Sequence, residues 1–316
     1  MSRSRRWIAQ EIERLDPEVD YEAIWRLTST YGLDDFAVNL VYAHLFPHFV
    51  IPMHGSETVY RGGDGKVVER ATQRVEDTFR HNLTWWTYGP SHERTQASVA
   101  NINRLHAHYA RKYPGNFAHL DDYLYTLAFS AASMHRFFLT LGLPGYNDKQ
   151  KVAAHRFWEA MAALFVDEAG NQITGFPEDW DAMIAYLDEY EHRPWPAHEV
   201  GRQMTDAIMD QFAFRFFPRP LHGIGRALVA STYHPTVWRV HKVDPPRPRA
   251  RTLLLRIAGL MIRLKKLGPD PTSNYQEILE ALTEEERRER RQGIATLDRR
   301  FSVWFRDRQG LPAKAA

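Results

Sequence analysis

The chain has no cysteine. That excludes disulfides, thiolate-ligated haem, iron–sulfur clusters, cysteine zinc sites and cysteine nucleophiles together, so any metal must be held by histidine, carboxylate or tyrosine. Charge of one sign is also scarce: 41 Lys and Arg stand against 39 Asp and Glu, a formal net of +2. Nucleic-acid binders usually carry a clustered basic excess, and no nucleic-acid partner is expected. Long apolar runs are missing. The longest near the C-terminus, 253–262, is interrupted by Arg256 and is too short to cross a bilayer. The basic start at 1–6 leads into a mixed, charged stretch at 7–16 and not into a secretory leader, so a cytoplasmic protein is expected. There is no His-Glu-x-x-His zinc signature, no internal repeat and no low-complexity linker.

What is present is helical periodicity in a chain of 316 residues, 44% hydrophobic and 25% charged, which is ordinary for a globular protein. The pattern predicts helices over 67–88, 91–113, 121–141, 148–166, 199–217, 251–267 and 275–291, with another after Phe176-Pro177. Gly89-Pro90, Pro114-Gly115 and Gly142 read as stops, Ser91 as an N-cap, Asn147 with Gln150 as a capping box, and Pro177 as a first helical residue. The one strand-like stretch is 57–69 around Gly62-Gly63-Asp64-Gly65, a short hairpin or a loop. The expected fold is all-α: a single helical domain with a pocket between helices, a globin-like core and extra helices. The Pro- and Arg-rich stretch 245–251 divides it into a catalytic domain, 1–244, and a C-terminal helical appendage, 245–316, packed on the same domain.

Three residues stand out. Arg74 and Thr78 are four apart and share a helix face; His106 lies on the next helix, seven after Val99 and four after Ile102, and so points inward. Two helices joined by a tight turn can bring a cation, a hydroxyl and an imidazole into one pocket, which suits a haem iron with His106 as ligand. The structural alternative is that His106 is a hydrogen-bonded core residue, Arg74 pairs with a carboxylate and Thr78 bonds its own helix backbone.

Arg74-x-x-x-Thr78, the aromatic-rich run to Tyr88-Gly89 and Arg104-Leu105-His106-Ala107, in that order, resemble the latex clearing proteins (rubber oxygenases) and the fungal MpaB-type oxygenase domain, over roughly 46–165. The resemblance implies haem b with His106 as proximal ligand and Arg74 and Thr78 on the oxygen side. The implied activity is dioxygen-dependent oxidation or cleavage of carbon–carbon double bonds in a hydrophobic, isoprenoid-like substrate. Arg70 and Arg104 become candidate cofactor contacts. Asp77 stands where rubber oxygenases carry a lysine, which leaves the distal site open or gives it a proton-relaying carboxylate. A peroxidase- or oxidase-like enzyme on the same haem, and a non-catalytic haem or lipid carrier, are the alternatives. Asp121 or Asp122, or a backbone carbonyl, would hold the second ring nitrogen of His106.

His44 and His48 form one possible helical pair that Pro47 disfavours. His135 and His155 read as core or pocket-wall residues, with Glu159 on the face of His155. The runs 85–88 and 129–138 read as core. Residues 245–266 hold seven Lys or Arg and no acid, and Leu253, Leu254, Ile257, Leu260, Met261 and Leu264 form one stripe. The default reading docks that stripe on the protein's own core; the other is peripheral contact of 251–267 with an anionic membrane surface.

Overall fold

The computed structural model describes residues 4–312. Among them are sixteen α-helices and two 3-10 turns, and the sole β pairing is an isolated bridge between Val166 and Gln172. The fold is all-α, as periodicity predicts. The chain forms two compact units, each assembled from three separate stretches.

One unit comprises the described residues up to Asp34 together with 81–193 and 255–279. Here α1 (Trp7–Arg14) and α2 (Tyr21–Ser29) pack on α9 (Asp148–Ala162). Ile12, Ile24, Leu27 and Ala153 form their seam. α8 (Leu120–Thr140) and α10 (Trp180–His192) complete the bundle around α9. Its aromatic heart is Trp25, ringed by Trp86, Tyr146, Phe157 and Trp158 at centroid distances of 5.3–6.4 Å. The capping box of Asn147 and Gln150 starts α9 as expected. Pro177 does not start α10; Asp179 caps it instead, accepting from the Ala182 N–H at 2.8 Å, because a carboxylate satisfies an orphan amide that proline lacks. At the far end of α10, Glu191 is fully buried and receives both Arg136 amino groups (2.9 and 2.6 Å) and the Tyr125 hydroxyl (3.1 Å).

The other unit comprises 35–80, 194–254 and the described residues from Glu280 onward. α11 (Glu199–Phe216) is its centre, packed by α3 (Asp35–Phe49), α4 (Met53–Tyr60), α5 (Lys66–Glu69), α12 (His222–Ser231) and α16 (Glu284–Gln309). α3 runs through Pro47. Proline has no N–H for the Ala43 carbonyl, and the Tyr233 hydroxyl bonds that oxygen at 3.0 Å instead. The strand-like stretch 57–69 is not a hairpin. α4 ends in a 3-10 turn, Arg61–Gly63, and α5 follows directly. The close approach at Gly65 admits no side chain, since a Cβ there would lie 2.0 Å from the Val59 carbonyl oxygen.

Two predicted helices are broken by caps. The segment 67–88 divides at Arg70, whose backbone is non-helical, and α6 (Ala71–Tyr88) starts anew. The Asp298 carboxylate accepts from the Thr72 and Gln73 amides at 2.7 and 3.1 Å, capping α6 from across the unit. The segment 275–291 divides into α15 (Tyr275–Glu280) and α16, where Thr283 and Glu286 form a capping box.

The basic helix is α14 (Pro248–Lys265). Its docked face is Leu255 and Gly259, not the leucine stripe, which corrects the default reading. Gly259 allows that docking to be backbone to backbone, because a Cβ would meet the Leu141 carbonyl oxygen at 2.5 Å.

Candidate functional site

The candidate residues occupy α6 and α7 (Glu93–Ala110). Arg70, Arg74, Asp77 and Thr78 belong to one unit, Arg104 and His106 to the other.

On α6, Val75 and Phe79 are buried and turn the opposite flank toward partial exposure, so Arg74 and Thr78 share that flank, one turn apart. Arg74 donates from Nε to the Tyr42 hydroxyl at 3.0 Å, and its guanidinium lies 4.6 Å above the Phe46 ring. Tyr42 and Phe46 stack on one another, an i,i+4 pair on α3. Burial pushes the Tyr42 hydroxyl above its ordinary range, with Arg74 pulling the other way. Arg74 has no carboxylate partner, and its two terminal amino groups make no hydrogen bond among the described residues. The Thr78 hydroxyl likewise has no partner among them, so it does not bond its own helix backbone. This flank therefore keeps a held cation and a hydroxyl with donors unspent.

Asp77 is committed. It accepts from Lys66 Nζ at 3.1 Å and from Gln73 Nε2 at 2.7 Å. Asp77 therefore sits 3.1 Å from the ammonium group of Lys66. Arg70 is exposed and belongs to the break before α6, not to a helix turn preceding Arg74.

On α7, His92 and not Ser91 is the N-cap, its Nδ1 accepting from the Arg94 amide; Ser91 is held by Glu22 through its amide and hydroxyl. Val99 is buried, while Leu105 is exposed and leaves the predicted stripe. His106 is partly buried, stacked on Phe117 at 4.7 Å and edge-on to Tyr123. Burial lowers its pKa from 6.5 to about 4, so the imidazole is neutral at physiological pH. Its Nδ1 lies 3.5 Å from the Tyr123 hydroxyl, and Nε2 makes no hydrogen bond among the described residues. The partner of Nδ1 is therefore a phenol and neither of the aspartates: Asp121 pairs with Arg193 and Asp122 accepts from Tyr190. The Phe117 turn is pinned by Glu168, whose carboxylate accepts from the Gly115 and Phe117 amides at 3.0 and 3.1 Å. Arg104 is exposed and bonds Asn101 of its own helix at 3.4 Å, and His108 is exposed and bonds Arg111.

The other histidines are structural where the contacts are explicit. His48, His198 and His241 each have both ring nitrogens engaged. His155 Nε2 bonds the Pro177 carbonyl at 2.7 Å, while Glu159 pairs with Arg156, so no His155–Glu159 pair forms. His135 Nδ1 accepts from the Tyr146 amide. Among the described residues no group of three or more His, Asp and Glu side chains could hold a metal ion. A lone imidazole serves an iron that arrives with its other ligands, as in haem, and a neutral His106 with Nε2 uncommitted fits that group. A surface cleft of about 410 Å³ beside α2, lined by Glu22, Arg26, Thr87, Tyr88 and Ser91, does not include His106.

Sequence reasoning missed Tyr42, Phe46, Lys66, Phe117 and Tyr123. The Tyr42–Phe46 spacing was a usable signal; the others become neighbours through turns that no local pattern encodes.

Residues 53–264, about two thirds of the chain, match the family model of the ER-bound oxygenase mpaB/B′ and rubber oxygenase catalytic domain. No curated protein matches the chain. The chain belongs to this oxygenase family, and the match takes in every candidate residue from Arg70 to His106 and extends into α14. No helix among the described residues is long and apolar enough to cross a membrane.

Proposed function

We propose that this member of the family is a haem b-dependent oxygenase acting on a hydrophobic, unsaturated, isoprenoid-like small molecule. The observation that carries the reading is His106: an imidazole kept neutral by burial, with one nitrogen placed by Tyr123 and the other uncommitted. When bound, haem would supply a redox-active iron able to bind and activate dioxygen. Cleavage of one carbon–carbon double bond by one dioxygen gives two carbonyl groups, so atoms balance without an external reductant.

The protein's own groups have distinct tasks. A neutral imidazole coordinates iron without first losing a proton. In the tautomer whose Nδ1–H donates to the Tyr123 oxygen, Nε2 would be left as the ligand. Arg74, held by Tyr42 and Phe46, would offer a fixed positive charge to negative charge developing on oxygen. Thr78, one turn from Arg74 on the same flank, would offer a hydroxyl donor. Asp77, with a positive partner in Lys66, is the proton-handling candidate. Arg70 and Arg104 are exposed cations suited to haem propionates. A peroxidase- or oxidase-like outcome on the same haem is favoured by one observation, the carboxylate at position 77.

The test is the visible spectrum of the purified protein with added haemin, before and after dithionite. A Soret band that shifts on reduction, lost in His106→Ala and kept in His108→Ala, is the expected result. Arg74→Ala retains the band and loses oxygen uptake with an unsaturated substrate; peroxide-driven turnover without oxygen uptake selects the second reading. No band after reconstitution overturns both.

A further inference from the structure

α14 carries a face that nothing in the fold covers. Leu253, Ile257, Leu260, Met261 and Leu264 recur at helical spacing, and Leu267 continues the line past the helix end. These six residues are between 47% and 63% exposed. Scattered exposed leucines are unremarkable, but six on one stripe are a continuous apolar strip. The helix cannot roll to hide them, because on the other side Leu255 is buried and Gly259 lies against Leu141 at the end of α8. The rotation is pinned again by Arg263, which bonds the Gly142 carbonyl, and by Lys265, which bonds Gly32 and Asp34.

Charge tells what covers the strip. Arg249, Arg256 and Arg263 are spaced by seven and so line one edge of it. Arg247, Arg249 and Arg256 are exposed and have no side-chain partner among the described residues. Residues 245–266 hold seven cations and no acid. A second copy of the chain would meet this strip with the same row of cations, a like-charge juxtaposition that disfavours self-pairing. An acyl-chain boundary beneath a layer of anionic headgroups satisfies both halves of the surface at once.

We infer that α14 docks the protein on an anionic lipid surface, with the 253–267 strip in the acyl boundary and Arg247, Arg249 and Arg256 among the headgroups. The docking does not depend on the cofactor, so it is tested on protein with or without haem.

The experiment is co-sedimentation of the full chain with vesicles of phosphatidylcholine alone and of phosphatidylcholine mixed with phosphatidylserine, with the solution mass measured in parallel. Binding to the mixed vesicles is expected to exceed binding to neutral ones and to fall with added salt. Each reversal, Arg249→Glu or Arg256→Glu, should lower the partition by at least about fivefold, the effect of losing one cation at a charged surface. The pair Leu260→Glu and Leu264→Glu should lower it by at least about tenfold; both positions are exposed, and unchanged helicity by circular dichroism confirms the fold. Equal sedimentation of the leucine variant, no binding to anionic vesicles, or a dimer that the leucine variant dissociates would each overturn the inference.

Discussion

The state of His106 can be tested directly by lowering the pH. Burial against Phe117 holds the ring at a pKa of about 4 where an ordinary histidine titrates near 6.5. At about pH 5 a group of pKa 4 is roughly 9% protonated, while an unperturbed one is roughly 97% protonated. Iron and the proton compete for the same nitrogen. Between about pH 8 and pH 5 the His106 contribution to haem affinity should therefore fall by only about 1.1-fold, against about 30-fold for an exposed histidine. The cleanest readout is the His106 ring resonance in the haem-free protein, assigned by its loss in His106→Gln and followed from about pH 8 to about pH 4. Phe117→Ala opens the stack to water and should move the midpoint up toward 6.5. A wild-type midpoint above about 6, or one indifferent to Phe117→Ala, would refute the argument that packing sets the charge of this ring.

Four further outcomes are expected. Tyr123→Phe removes the oxygen 3.5 Å from His106 Nδ1 and should weaken haemin binding by about 10-fold, measured by Soret titration, since partners of a ligand's second nitrogen are worth roughly 10–100-fold in affinity. Asp298→Ala uncaps Thr72 and Gln73 at the start of α6 and should cost about 1–2 kcal/mol in urea unfolding. His241 is fully buried and its pKa is lowered to about 3, first by burial and then by neighbouring His198, itself shifted down. Both shifts leave the folded state with fewer protons than the unfolded one, so their stability is whole above about pH 6.5 and is lost as pH falls, at up to about 1.4 kcal/mol per pH unit for each; urea midpoints that stay flat from about pH 7 to about pH 5 would count against this. The Lys66–Asp77 pair is 47% and 33% exposed and should be worth at most about 1 kcal/mol. If Asp77 handles a proton, Asp77→Asn lowers turnover while Lys66→Ala does not; equal effects would make Asp77 structural.

Much of the helical framework is legible along the chain. The capping box at Asn147, the extents of α8 and α11 and the core role of Trp85 and Trp86 follow from local pattern. The errors have a common cause. Arg70 ends a helix because a carboxylate 228 positions later caps the next one at Thr72, and residues 275–291 divide where Thr283 offers a better start. The stretch around the glycines at 62–65 reads along the chain as a short hairpin or a loop; its neighbours are equally suited to short helices, and packing on α11 and α16 decides. For α14 the stripe was legible, but which face docks was not. Gly259 brings the helix backbone against the Leu141 carbonyl, a close approach that a side chain would block and that no stripe pattern encodes.

The site residues were legible as types and spacing, whereas the reason to single out one histidine among 15 is a matter of contacts. His48, His198 and His241 are buried, and each spends both ring nitrogens on backbone groups or a hydroxyl. Those bonds lower the free energy of the folded chain and leave nothing for a ligand. His106 is neutral for the same reason, burial, but spends only Nδ1. Arg74 repeats the logic on α6: Tyr42 and Phe46 fix it by Nε and by the guanidinium face, and its terminal amino groups stay unspent. His106 Nε2 and the Arg74 amino groups are not among the buried unpaired atoms of the fold, so water reaches them, and a bound partner meets an immobilised lone pair and immobilised donors without breaking any protein hydrogen bond.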